Sequence, residues 1–171
     1  MTLRALSVKQ PWSTAICHGK NVENRSRPTH FRGTVAIHAS KTFDDVSPAT
    51  LDWIAEMTGL TPRQAAQQDV RGAVVAVAEI VGCHEDGDLD VPCGGYDDQV
   101  IPYGLGATNL CSPWAVAGQW HWQLANVRAL AEPVPCKGAL GLWRLPAEVD
   151  EAVRAQLVAR SINTPTETTH G

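Results

Sequence analysis

The stretch that most limits what this chain can fold into is residues 73–81, an almost unbroken apolar run in which Glu79 is the single charge. A run of that length, rich in valine and free of turn residues, reads as a buried strand at the centre of the core. Glu79 then has two outlets. It meets a cation, for which Lys20 or Arg25 would serve, or it faces water from one side of the sheet.

Further strands are spread over the whole chain. Residues 3–8 alternate apolar and polar positions, and residues 22–25 and 34–39 read as strands separated by the turn-prone Ser26-Arg27-Pro28-Thr29. Pro11 opens a short helix towards Cys17, which Gly19 ends. Residues 44–57 carry helical spacing, with Val46, Leu51, Ile54 and Ala55 on one face. Thr61-Pro62-Arg63-Gln64 is a capping box with proline in the first turn, opening a helix to about Asp69. Residues 120–130 and 139–145 add two strands, and 146–161 a terminal helix with Val149, Val153, Leu157 and Val158 on its apolar side. Residues 83–113 are heavy in Gly, Pro, Asp and Cys and show no regular element; a loop this long is usually a functional lid or an insertion without fixed structure. The expectation is one α+β domain over residues 1–162 with a polar tail, 163–171. Its short strands would form a small, closed or nearly closed β-barrel with helices packed round it.

A chain of 171 residues with 44% hydrophobic and 19% charged residues has the composition of an ordinary globular protein. No apolar run approaches the roughly 18 residues that span a bilayer, and the N-terminus lacks a signal-like apolar segment, so a cytoplasmic location without membrane contact is expected. The net charge of −4 argues against a broad basic surface for duplex DNA. Arg4, Lys9, Lys20, Arg25, Arg27, Arg32 and Lys41 nevertheless crowd the start of the chain, leaving a local anion-attracting face. The five cysteines are an odd number without a C-x-x-C pair and read as free thiols. Cys83, His84, Cys93 and Cys111 offer soft ligands, but their spacings match no zinc pattern, so no metal is expected. Cys17 and His18 are neighbours on a helix and do not face each other, which excludes a nucleophile pair. With no glycine-rich phosphate loop and no Ser-His-Asp arrangement, no cofactor is expected either.

The chemistry concentrates in residues 18–25, HGKNVENR. In an extended segment Glu23 and Arg25 point the same way, and Lys20, at the turn feeding the strand, leans over the same mouth. A carboxylate between two cations fixes two donor heads, which suits an anionic or hydrogen-bonding ligand. The plain alternative is a surface ion-pair ladder of little energetic consequence. Around this segment, Trp12 follows Pro11 at what would be a pocket mouth or the plug of a barrel end. Gln10 offers a donor and an acceptor to a base edge, or caps the helix that follows. His38 ends a strand near the cluster and is a further candidate. Trp120 and Trp122 share a strand face with His121 opposite; one of the two tryptophans belongs to the core and the other to a pocket wall.

These residues together (ALSVKQPW, then HGKNVENR, then FRG and IHAS) resemble the ASCH family, the activating signal cointegrator homology domains of the PUA-like superfold. The signature G-x-K-x-x-E-x-R falls on Lys20, Glu23 and Arg25, with His18 in place of the first glycine and Gly19 one residue later. The similarity extends into GAVVAVAEIVG, WHWQLANV and KGALGLWRL and covers most of residues 3–146. It implies a PUA-like barrel and an RNA-linked role: a pocket for a modified nucleoside, RNA or another single-stranded nucleic acid. Lys20 and Arg25 would meet phosphate or base oxygens, Glu23 would orient them, and Trp12 or Trp122 would stack. It also implies a second possibility, a small hydrolase of the acylcytidine amidohydrolase or ribonuclease type using Lys20 and Glu23. In the amidohydrolase type a threonine nucleophile stands where this chain has Glu23, so the expected nucleophile is missing.

Overall fold

The computed structural model describes residues 1–85 and 110–162. In chain order they form β1 (Arg4–Gln10), α1 (Trp12–Cys17), β2 (Val22–Arg25), β3 (Gly33–Phe43), α2 (Pro48–Thr58) and α3 (Pro62–Gln67). There follow β4 (Ala73–Glu85), β5 (Trp120–Pro135), β6 (Leu142–Arg144) and α4 (Ala147–Ile162). The architecture is α+β. One mixed sheet runs in the order β2-β5-β4-β3-β1-β6; β1 and β3 are parallel and the other neighbouring pairs antiparallel.

The apolar run sits in β4, flanked by β3 and β5, and is covered on both faces. Ala76, Ala78 and Ile80 join Leu6, Val8, Val35, Ile37, Trp122 and Leu124 on one side, with Ile16 of α1 over them. Val74 and Val77 join Ala5 and Ala36 on the other, under Val149 and Val153 of α4. Register shifts in β4 against β5 let both sets be apolar without strict alternation. Glu79 is the exception and takes the second outlet: it accepts from Asn126 Nδ2 at 3.0 Å on the exposed surface and meets neither Lys20 nor Arg25.

The sheet does not close into the expected barrel. β6 is three residues long and covers β1 only along Arg4–Leu6, leaving the next part of β1 without a partner on that side. β2, the opposite edge, curls round to face this stretch, and Arg25 Nη2 donates to the Ser7 carbonyl at 2.8 Å. A side chain thus spans the gap where a backbone ladder would have completed the ring.

Four local expectations are corrected. The second helix begins at Pro48, capped by Ser47, because a residue before proline is held extended and cannot continue a helix from residue 44. Its buried edge is Trp53 and Ile54, packed on Ala15, Val22, Leu110 and Trp114, while Leu51 is exposed. In α4 the buried stripe is Val149 and Val153 with Leu157 packed alongside; Val158 lies off that stripe and is exposed. Residues 83–85, expected in a loop, extend β4, whose ladder with β5 runs to Glu85↔Trp120. The rest of that loop up to residue 109 and the tail from residue 163 lie outside the described residues. The capping box of α3 forms as expected, with Gln64 N donating to Thr61 Oγ1 and Thr61 N to Gln64 Oε1. Among the described residues no helix is long and apolar enough to cross a membrane.

Candidate functional site

A cavity of about 720 Å³ opens where the sheet fails to close, between β1 (Ser7, Val8, Lys9) and β2 (Glu23, Asn24, Arg25). Lys20 contributes from the preceding turn. Gly19 makes that turn at φ +105°, a conformation that glycine adopts without strain, and Lys20 N then closes onto Ala15 O at 2.9 Å. The glycine displaced by one residue therefore still delivers Lys20 to the cluster.

Glu23 occupies the centre. Its Oε2 accepts from Lys20 Nζ at 2.7 Å, and its Oε1 forms an ion pair with Arg25 Nη2 at 3.0 Å. Lys20 Nζ also donates to the Val22 carbonyl. The side chains of Lys20, Glu23 and Arg25 are 3%, 10% and 26% exposed, so this is a buried charge cluster and not the surface ladder. Beneath it lies Trp122, whose ring is 5.8 Å from the Arg25 guanidinium carbon. Donor capacity is left over. An ammonium has three N–H bonds and Lys20 uses two on protein oxygens. Arg25 Nε is buried without a hydrogen-bond partner among the described residues.

The opposite wall is aromatic. Trp12 stands 6.0 Å, ring centroid to Nζ, from Lys20, and Asp44 fixes it by accepting from its Nε1 at 2.9 Å. Asp44 also accepts from Lys9 Nζ at 2.8 Å; these two hydrogen bonds, that from Lys9 foremost, hold its carboxyl below the usual range. Trp53 of α2 and Trp114 complete the wall, their ring centroids 4.8 Å apart. The segment 112–116 that carries Trp114 is pinned from behind. Asn24 donates to Trp114 O and accepts from Val116 N, and Ser112 Oγ donates to Asn21 Oδ1.

Of the residues singled out from sequence, Lys20, Glu23, Arg25 and Trp12 converge on this cavity and three do not. Gln10 is buried with its groups spent: Nε2 donates to Val70 O at 2.8 Å, and Oε1 accepts from Thr14 N and Oγ1. It caps the start of α1, as its alternative reading had it. His38 is 1% exposed and faces β6, with one ring nitrogen 3.1 Å from Cys136 O and the other 3.3 Å from Ser7 Oγ. Burial pushes its pKa down. Trp122 is core, held by Nε1 donating to Arg27 O, and supports Arg25 from below instead of walling the cavity. Burial also pushes the Cys17 thiol up to about 11, which leaves it protonated and inert.

Sequence reasoning missed Asp44, Trp53 and Trp114. Trp53 and Trp114 carried no motif, and Asp44 lay in a stretch read as the start of a helix. Two of the soft ligands set aside on their spacing, His84 and Cys111, do meet, and His121 joins them. His84 on β4 lies directly opposite His121 on β5, so both side chains share a sheet face, and Cys111 meets them there. Cys83, one residue earlier, points to the other face and accepts from Thr29 N. Only the cross-strand register brings His121 into this set. No family model matches this chain, and no curated protein matches it.

Proposed function

We propose that this chain is a nucleobase-binding module of the ASCH type, with a PUA-like fold, accepting a modified nucleoside or an unpaired base of RNA or another single strand. The observation that carries the reading is the pairing, across one cavity, of a buried Lys20–Glu23–Arg25 cluster with a Trp12–Trp53–Trp114 wall. A base needs both: donors of fixed direction for its carbonyl oxygens and an aromatic surface for its faces. The cavity volume of about 720 Å³ is in the range of small-molecule sites and has room for a nucleoside. The curl that sets β2 against β1 supports the PUA-like assignment.

The cluster as arranged favours binding over hydrolysis. Lys20 Nζ is committed as a donor to two oxygens, and both oxygens of Glu23 are engaged by cations. An ammonium held as a donor has no lone pair with which to act as a base, and the cations on both oxygens of Glu23 compete with a water or a substrate hydroxyl for that carboxylate. Calorimetric titration with a panel of nucleosides and short single-stranded oligonucleotides tests the proposal. Saturable one-to-one binding lost in Lys20→Ala supports it; no binding by any member returns the cluster to a structural role.

A further inference from the structure

We propose that His84, Cys111 and His121 form a binding site for a zinc ion or a similar borderline divalent transition metal. It lies behind the pocket wall and does not depend on what the pocket binds. The ligand atoms of the three residues lie within 4.8 Å of one another. The ring centroids of His84 and His121 are 5.3 Å apart and the rings stand at 88°, an edge-on arrangement that lets two imidazoles converge on one point.

One ligand pair already has the spacing the ion needs. Zn–S and Zn–N bonds of about 2.3 and 2.0–2.1 Å at a tetrahedral angle place sulfur and nitrogen about 3.5 Å apart. Cys111 Sγ and His121 Nδ1 are 3.5 Å apart. His121 Nε2 lies 2.9 Å from Val116 O, an oxygen that can only accept. In the neutral ring the proton therefore sits on Nε2 and the lone pair on Nδ1 points towards Cys111. A carbonyl behind the far nitrogen is the usual outer partner of a metal-bound histidine. Binding expels the thiol proton of Cys111 to solvent and leaves a thiolate and two neutral imidazoles on the metal, with a fourth position for solvent.

The placement gives the ion a task. Cys111 belongs to the segment that carries Trp114, and His84 and His121 belong to the paired strands behind it. A metal would tie that segment to the sheet and hold the aromatic wall in place.

The test uses the full chain, purified without metal-affinity chromatography, loaded with Zn²⁺ or Co²⁺ and dialysed against a weak chelator. The expected result is one equivalent of metal and, with Co²⁺, a near-ultraviolet thiolate-to-cobalt charge-transfer band. Cys111→Ser should abolish the band while Cys136→Ser keeps it. His84→Ala should weaken Co²⁺ binding by more than about 10-fold, the loss typical even of outer partners. Circular dichroism of each metal-free variant shows that it is folded. Substoichiometric metal, or a band that survives Cys111→Ser, would overturn the proposal and leave a thiol–imidazole hydrogen bond.

Discussion

Replacing Glu23 by glutamine keeps the shape of the cluster and removes its only negative charge. Lys20, 3% exposed, would keep the Val22 carbonyl but lose its counter-charge, and Arg25 would keep the Ser7 carbonyl and the Trp122 ring but no carboxylate. Removing one partner of a buried ion pair costs about 3–5 kcal/mol, most of it the charge left behind. Glu23 is 10% and Arg25 26% exposed, so solvent softens the loss and the lower end applies, about 3 kcal/mol. In a domain of this size that lowers the melting temperature by about 6–12 °C. Urea unfolding of the wild type, Glu23→Gln, Lys20→Met and the double variant measures it. The double variant should recover most of the loss, because no unpaired ammonium remains in place. A Glu23→Gln cost below about 0.5 kcal/mol, or single costs that simply add in the double variant, would instead describe a solvent-screened pair.

Three other outcomes are expected. Gly138→Ala should destabilise the fold by about 1–3 kcal/mol in urea: its Cβ would come 2.4 Å from a His38 ring atom that Cys136 O and Trp143 hold in place; an unchanged midpoint would show that the ring can move. His38 makes stability pH-dependent. With its folded-state pKa depressed by burial, the unfolded chain takes up the proton more readily, so this contribution is complete above the ordinary imidazole value of about 6.5 and is lost as pH falls below it. The slope of the urea midpoint against pH should flatten in His38→Gln, and an unaltered slope would assign the effect elsewhere. Trp12→Ala should weaken nucleobase binding by about 1–3 kcal/mol in calorimetry while leaving the secondary structure unchanged; equal affinity would move the stacking to Trp53 and Trp114.

Where local chemistry decides the structure, the sequence was a good guide. The strand through Glu23 and Arg25, the proline and threonine that open α3, and the apolar run of β4 each follow from two to ten neighbouring residues. Long-range pairing is less visible. Nothing near Gln10 says that its amide will meet Val70, and nothing near His38 says that it will be sealed under Gly138. The open sheet was also out of reach, since closure depends on how far β6 extends along β1. The aromatic wall was half legible. Trp12 stood beside the signature, whereas Trp53 and Trp114 reach the cavity through the packing of α2 against residues 110–115. The His84–His121 pair appears only once β4 and β5 are in register.

Whether the cavity holds a base, and whether it leaves that base unchanged, are both read by one experiment. Wild type and Lys20→Ala are titrated by calorimetry with free and N4-acylated cytidines, other modified nucleosides and short single-stranded RNA. Each mixture is then incubated and weighed by mass spectrometry. One-to-one binding by at least one nucleoside or oligonucleotide is expected, weakened in Lys20→Ala by about 1.5–3 kcal/mol, the worth of a charge-assisted hydrogen bond, with every ligand recovered at its original mass. Hydrolysed product from the wild type that is absent with Lys20→Ala would contradict binding without turnover, as would the absence of binding across the whole panel.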